Sequence, residues 1–411
     1  MSTRPSSPSR PHSSKNPAAL KPSRRASQTA VLHLCPDLEP GDPAREAVEL
    51  AVLTQRSGWR SLITSGGGPL VTEAERAAVR HTRMPLDRRG IFTSWRNRVH
   101  LEALFQRERP ALIHAHGFEV LPRAYSLART HRLPLVVDLT QPLPDQPRIH
   151  RLLANLGRVQ CLLRVPSDYM LNQLQDVFQV IPDYIRPVAP GVDLHWHNSA
   201  AISTERMQNL TRLWRLPEQA TVILVPMPLC EGFGHSIFLQ ALASMKSENL
   251  FAVLIGTDRQ SPGLRAELEN QVNQLGLNGK IVMPEFCMDW PTAFWLASVV
   301  VAPNSLPRGQ ARELLAAQAV GRPVIVTDTG ANSEMVRSGE TAWVIPPDNV
   351  QALADALREA IHLDTEQRLG LAEHTRDFIA GTFPQDVWFQ GIMEIYQSLL
   401  RLPAQVKAKA A

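Results

Sequence analysis

Two doubly wound α/β units in tandem, each a parallel sheet with helices on both faces, are what this sequence predicts. Three observations predict them. The chain has 411 residues, too many for one ordinary core and suited to two domains of roughly 150–200 residues. Its strand-like segments are near-continuous Val, Ile and Leu runs rather than alternating ones, which means strands covered on both faces. Those runs alternate with helix-length segments, the rhythm of a parallel sheet with right-handed crossovers.

The first 29 residues stand apart. They hold six basic side chains (Arg4, Arg10, Lys15, Lys21, Arg24 and Arg25), no acidic ones and no apolar stretch. They cannot bury enough apolar surface to fold, so a disordered basic tail over 1–29 is expected. AVLHLC (30–35) predicts the first strand, PAREAVELAVLTQRSG (43–58) a helix closing on glycine, and WRSLITS (59–65) a second strand. PALIHAHG (110–117), PLVVDLT (134–140) and VQCLLRVP (159–166) predict three more. RPVAPGVDLHWHNSA (186–200) breaks the rhythm with prolines and glycine and is the expected linker. Beyond it TVILVP (221–226), FAVLIG (251–256), KIVMPEF (280–286), SVVVAP (298–303), PVIVTD (323–328) and AWVIPP (342–347) predict a second set of strands. The expected domains are therefore 30–190 and 191–383, with 384–411 a final amphipathic helix. In such sheets ligands bind beyond the carboxyl ends of the strands, here in the cleft between the units.

Composition excludes several function classes. The chain carries 43 basic and 39 acidic side chains for a formal +4. Removing the six charges of the tail leaves about −2, so the folded part gives no electrostatic footprint for nucleic acid. No apolar run is long enough to span a membrane. Cys35, Cys161, Cys230 and Cys287 are far apart in sequence, with no zinc-like pairing and no disulfide framework, which fits a reducing, cytoplasmic compartment. The basic tail is the one segment suited to an anionic inner-membrane surface or a partner protein. Neither metal nor cofactor is expected: His114, His116, His195, His197 and His235 show no spacing that suggests a convergent site.

The stretch 297–354 reads ASVVVAPNSLPRGQARELLAAQAVGRPVIVTDTGANSEMVRSGETAWVIPPDNVQALADAL. It resembles the donor-binding segment of glycosyltransferase family 4, a run of strand, acidic helix start, EA-x-A-x-G-x-PV, strand, GG-x-x-E and G-x-TG-x-L-V-PP. Matching positions include Ala317, Ala319, Gly321, Pro323, Val324, Gly330, Glu334, Pro346 and Pro347. LEPGDPAREAVELA (38–51), LIHAHG (112–117) and APGVDLHW (189–196) extend the likeness to the N-terminal glycine loop, a mid-domain strand and the hinge. The resemblance implies a GT-B fold of two Rossmann-like domains facing a cleft, with the last helix crossing back onto the first domain. It also implies retaining transfer of a sugar from a nucleotide-sugar donor to a glycan acceptor, of the kind that builds bacterial envelope polysaccharide or lipopolysaccharide.

Such transfer needs positive charge or helix N-termini at the departing diphosphate and carboxylates for the sugar hydroxyls. The family supplies them with GR-L-x-x-x-K-G, a glutamate pair spaced E-x7-E, and a His after a strand of the first domain. At those positions this chain holds Pro228, Phe233, Arg308, Ala316 and Thr140. Both cations are missing, one carboxylate has become a methyl group, the other has reversed its charge, and a hydroxyl replaces the imidazole. Gly41 of the N-terminal loop is followed by Asp42 instead of a second glycine. Gly234, Gly330 and Glu334 remain as donor-side candidates, and Arg308 and Arg312, expected at a helix start facing the cleft, are candidates for a rebuilt phosphate contact. Three readings stay open: a transferase with an altered donor site, a catalytically inactive relative that acts as a binding or regulatory partner, and a nucleotide-sugar epimerase on the same fold.

Overall fold

The computed structural model describes residues 29–86, 91–245 and 248–401, so the basic tail expected at 1–29 lies outside the described residues but for Thr29. Among the described residues, seven strands form the first sheet: β1 (Ala30–Leu34), β2 (Arg60–Ser65), β3 (Arg80–Arg83), β4 (Leu112–His116), β5 (Leu135–Asp138), β6 (Cys161–Val165) and β7 (Ile185–Pro187). Six form the second: β8 (Thr221–Val225), β9 (Leu250–Leu254), β10 (Ile281–Val282), β11 (Val299–Ala302), β12 (Val324–Thr327) and β13 (Ala342–Ile345). Every pairing within the two sheets is parallel. Strand orders are β3-β2-β1-β4-β5-β6-β7 and β10-β9-β8-β11-β12-β13. Each sheet reverses direction once, between β1 and β4 and between β8 and β11, and a crevice opens at such a point.

The first domain carries α1 (Asp42–Arg56), α2 (Val71–Arg76), α3 (Ile91–Glu108), α4 (Leu121–His131), α5 (Pro147–Ala154) and α6 (Asp168–Asn172). The second carries α7 (Thr204–Trp214), α8 (His235–Ala243), α9 (Leu264–Gln274), α10 (Trp290–Leu296), α11 (Arg312–Val320), α12 (Val350–Ile361) and α13 (Thr365–Thr382). β1, β4, β5 and β6 are buried along their whole length, since both sheet faces are covered, and their runs are apolar but for His33, His114, His116, Asp138 and Arg164. Leu32, Ile113, Ala115, Val137 and Leu163 fill one face. Val31, Leu112, Val136 and Leu162 fill the other, against α14 (Gln385–Arg401), which contributes Trp388, Ile392, Tyr396 and Leu399. The last helix thus closes the core of the first domain. Its chain reaches that domain beside the hinge, where Val192 bridges Pro384 in parallel.

Differences from the sequence expectations have local causes. β3 and β7 were not anticipated, because RHTR is a polar edge strand and Ile185–Pro187 ends in a proline that only a sheet edge tolerates. β7 therefore takes Arg186 and Pro187 from the expected linker. The strand expected over 280–286 shrinks to Ile281–Val282, again at an edge. No helix among the described residues is long and apolar enough to cross a membrane.

Candidate functional site

The carboxyl ends of the two sheets face each other, and three loops of the second domain line its side of the cleft. The first runs from β8 to α8 and holds Pro228, Phe233 and Gly234. Gly234 adopts φ 73°, and a Cβ there would lie 1.8 Å from the Pro303 carbonyl oxygen, so only glycine fits. Pro228 lies against Gly256 at the end of β9. The second loop, from β11 to α11, holds Arg308, Gly309 and Gln310. The third follows β12 and holds Gly330, tucked against the Arg308 backbone, whose carbonyl accepts the Ala331 amide at 2.9 Å. Buried Asn304 and Asn332 tie these loops together: Asn332 Nδ2 donates to Asn304 Oδ1 at 3.0 Å and to the Thr327 carbonyl at 3.1 Å.

The structure brings Thr140, Phe233, Arg308 and Gly330 into one neighbourhood. The Arg308 guanidinium stands 5.9 Å from the Phe233 ring centroid and pairs with Glu313. Both partners of that pair are largely buried. The Thr140 carbonyl approaches Gly309 so closely that a Cβ at 309 would meet it at 2.6 Å. Arg308 belongs to the loop ahead of α11, not to the helix start expected for it. Ala316 is buried one turn beyond Glu313.

Other candidates point elsewhere. Arg312 begins α11, and its guanidinium reaches Glu49 of α1 at 2.5 Å and the Gly191 carbonyl at 3.0 Å. It therefore bridges the domains. Glu334 also bridges: its carboxylate accepts the amides of Asp168 and Tyr169 at 2.7 and 2.8 Å, the start of α6 across the cleft. Ser167 Oγ donates to the Gly309 carbonyl at 2.7 Å and Gln310 Nε2 to Glu46 at 2.7 Å. Gly41 precedes α1 with extended backbone and open space around it, so nothing local requires glycine there.

Glu46 and the histidines are what sequence reasoning missed. Glu46, fully buried, receives Arg164 Nη1 at 2.7 Å on the oxygen not used by Gln310. Beside it lies a polar row on the α14 face of the first sheet: His33, His114, His116 and Asp138, each no more than 2% exposed. This overturns the expectation that no histidines converge, because His114 and His116 come together with His33. Two signals could have found them. His114 and His116 are two apart on a strand and so share a face, and parallel order puts His33 beside His114. Burial pushes the His33 and His114 imidazoles down. Burial raises the Asp138 carboxyl, but His114 and Arg164 outweigh it and hold it well below the usual carboxylate range. His195, His197 and His235 stay outside the cluster.

Residues 44–196 match the family described as Glycosyltransferase Family 4, and residues 221–362 that described as Glycosyl transferases group 1. A D-inositol 3-phosphate glycosyltransferase of Corynebacterium urealyticum is 26% identical over 258 residues, covering 60% of this chain and 59% of that protein. The lipopolysaccharide core biosynthesis mannosyltransferase LpsB of Rhizobium meliloti is 32% identical over 144 residues, covering 33% of this chain and 39% of that protein. The chain thus spans from about two fifths to three fifths of the length of these curated relatives. Among solved structures, Anabaena HepE in complex with UDP and glucose superimposes with TM-score 0.78 at 19% identity, over 90% of this chain and 99% of that one. At that identity the likeness speaks for the fold alone.

Proposed function

The chain belongs to the family-4 (group 1) glycosyltransferases, and from that premise we propose that it serves envelope-polysaccharide or lipopolysaccharide assembly as a catalytically inactive binding or regulatory partner. One observation carries the reading. Where a departing diphosphate would need neutralising, the chain offers Pro228 and Phe233, and Arg308 beside them is already paired with Glu313. An uncompensated diphosphate in a partly buried cleft faces an unfavourable Coulomb balance, worsened by Glu231 in the same loop. Thr140 adds to it, since a hydroxyl does not exchange a proton near neutral pH as an imidazole does. Glu334, the retained carboxylate, is occupied by the α6 amides. The polysaccharide setting rests on relatives such as the lipopolysaccharide mannosyltransferase.

A second reading, an active transferase with a rebuilt donor site, has its own support. HepE is described with UDP and glucose, and no side chain caps the start of α8 at Gly234, which leaves its first amides for an anion. Calorimetric titration of the full chain with UDP, GDP, ADP, UDP-glucose and GDP-mannose separates the two. Silence across the panel is the expected result. Saturable binding that weakens at least tenfold in Arg308→Ala would favour the rebuilt site, and turnover of the bound donor would overturn the inactive reading.

A further inference from the structure

We propose that His33, His114 and His116 form a structural site for one divalent transition-metal ion of the zinc class, with Asp138 beside it, buried under the crevice of the first domain. This inference does not depend on whether the donor cleft turns over. β1, β4 and β5 place the four groups side by side, with His33 in register with His114 and His116 with Asp138. One ring nitrogen from each histidine lies within 4.8 Å of the other two. Asp138 Oδ2 stands 3.1 Å from His114 Nε2 and 3.3 Å from His116 Nδ1.

Three features favour a cation over a purely hydrogen-bonded core. His114 Nε2 and both Asp138 oxygens are buried and make no aligned hydrogen bond, despite those short distances. Unless His114 and His116 both donate to Asp138, each such group costs about 1–3 kcal/mol, whereas a metal would turn ring lone pairs into bonds. The far nitrogens of two rings are held by hydroxyls, His33 Nε2 by Ser61 Oγ at 3.1 Å and His114 Nδ1 by Tyr396 Oη at 2.6 Å. A hydroxyl can accept the ring N–H, and with the far nitrogen so held the other faces the cluster, as with outer partners of metal-bound imidazoles. Lastly, Arg164 spends its closest contacts on Glu46 at 2.7 Å and the Val188 carbonyl at 2.9 Å, standing 3.9 Å from Asp138, so the carboxylate keeps charge for a cation. Three imidazoles supply three of the four positions of a tetrahedral Zn2+ site, with bonds of about 2.0–2.1 Å, and Asp138 beside His114 and His116 supplies the balancing charge. Bringing nitrogens from within 4.8 Å to a tetrahedral edge of about 3.3 Å needs only side-chain adjustment.

The competing arrangement is a hydrogen-bonded row in which Ser61, His33 and His116 donate in turn toward Asp138 from one side, and Tyr396 and His114 from the other. Because the site is enclosed, metal would enter during folding. The test therefore uses untagged full-length chain produced in zinc- or cobalt-supplemented medium and dialysed against a mild chelator. About one retained metal per chain, visible tetrahedral d–d bands in the cobalt form, and an X-ray absorption edge fitted by nitrogen and oxygen ligands alone are the expected results. A folded His33→Gln/His116→Gln double variant loses retention, while His195→Gln/His197→Gln keeps it. Absence of retained metal, sulfur in the ligand shell, or equal retention in the His33→Gln/His116→Gln variant would overturn the proposal; the first leaves a buried hydrogen-bonded row only. The wild-type spectra decide even where the double variant does not fold.

Discussion

Gly234 has no room for a methyl group: its backbone is left-handed and the Pro303 carbonyl closes off the Cβ direction at 1.8 Å. Gly234→Ala must displace the β11 loop or leave that conformation, and we expect a loss of about 2–4 kcal/mol in denaturant unfolding. The next residue gives a pH dependence. Burial pushes the His235 imidazole down from 6.5 to about 4. The unfolded chain therefore takes up a proton that the fold refuses, so this contribution is complete above about pH 6.5 and is lost as the pH falls toward 4. Between pH 7.5 and 5 it amounts to about 2 kcal/mol. His235→Gln should flatten the pH profile of thermal stability by that amount, while His33 and His114, which shift in the same direction, act equally in both proteins. Sequence spacing put Gly234, Phe233 and Arg308 on loops that follow strands, because each lies a fixed count from a glycine or proline in a local motif, but it set Arg308 at a helix start that begins only at Arg312. It missed the His33–His116 contact, whose partners are 83 residues apart and meet only through strand order.

Elements were legible in proportion to their burial. β4, β5, β11 and β12 are central and fully buried, and the sequence placed them within two residues at either end. β3, β7 and β10 are edges whose short or polar sequences carry no periodic signal. α6 shows a further limit, since half of its N-terminal satisfaction comes from another domain. Ser167 caps it locally through the Met170 amide at 3.3 Å, but the Asp168 and Tyr169 amides are met by Glu334. No local pattern announces a cap that sits 165 residues away. Glu334→Gln keeps size and removes charge; Glu334→Ala removes both. We expect Glu334→Ala to cost about 1 kcal/mol and to raise hydrogen exchange at the Asp168 and Tyr169 amides, with Glu334→Gln intermediate. Unchanged exchange in Glu334→Ala would mean that the cap is not formed in solution.

At the scale of the molecule, the two domains are joined by their own side chains across a cleft that a ligand would otherwise have to close. Glu46 reaches Gln310, Glu49 reaches Arg312, Glu334 reaches α6 and Ser167 reaches Gly309. Covalent continuity adds to this, because the hinge strand at Val192 runs beside Pro384 and α14 seals the first domain. Two of these bonds occupy donor-side candidates, Glu334 and Arg312, which ties the closed geometry to the inactive reading. Removing them should shift the balance between open and closed forms. Gln310→Ala/Arg312→Ala breaks two of the contacts and leaves two carboxylates of α1 short of partners, a change we set at about 2 kcal/mol. That corresponds to a roughly 30-fold shift toward the open form, read as a larger radius of gyration in X-ray scattering while each domain keeps its circular dichroism. Added UDP-glucose should not reverse the expansion. If it does, the cleft still closes on a nucleotide sugar and the ties between α1 and α11 only assist what a donor performs.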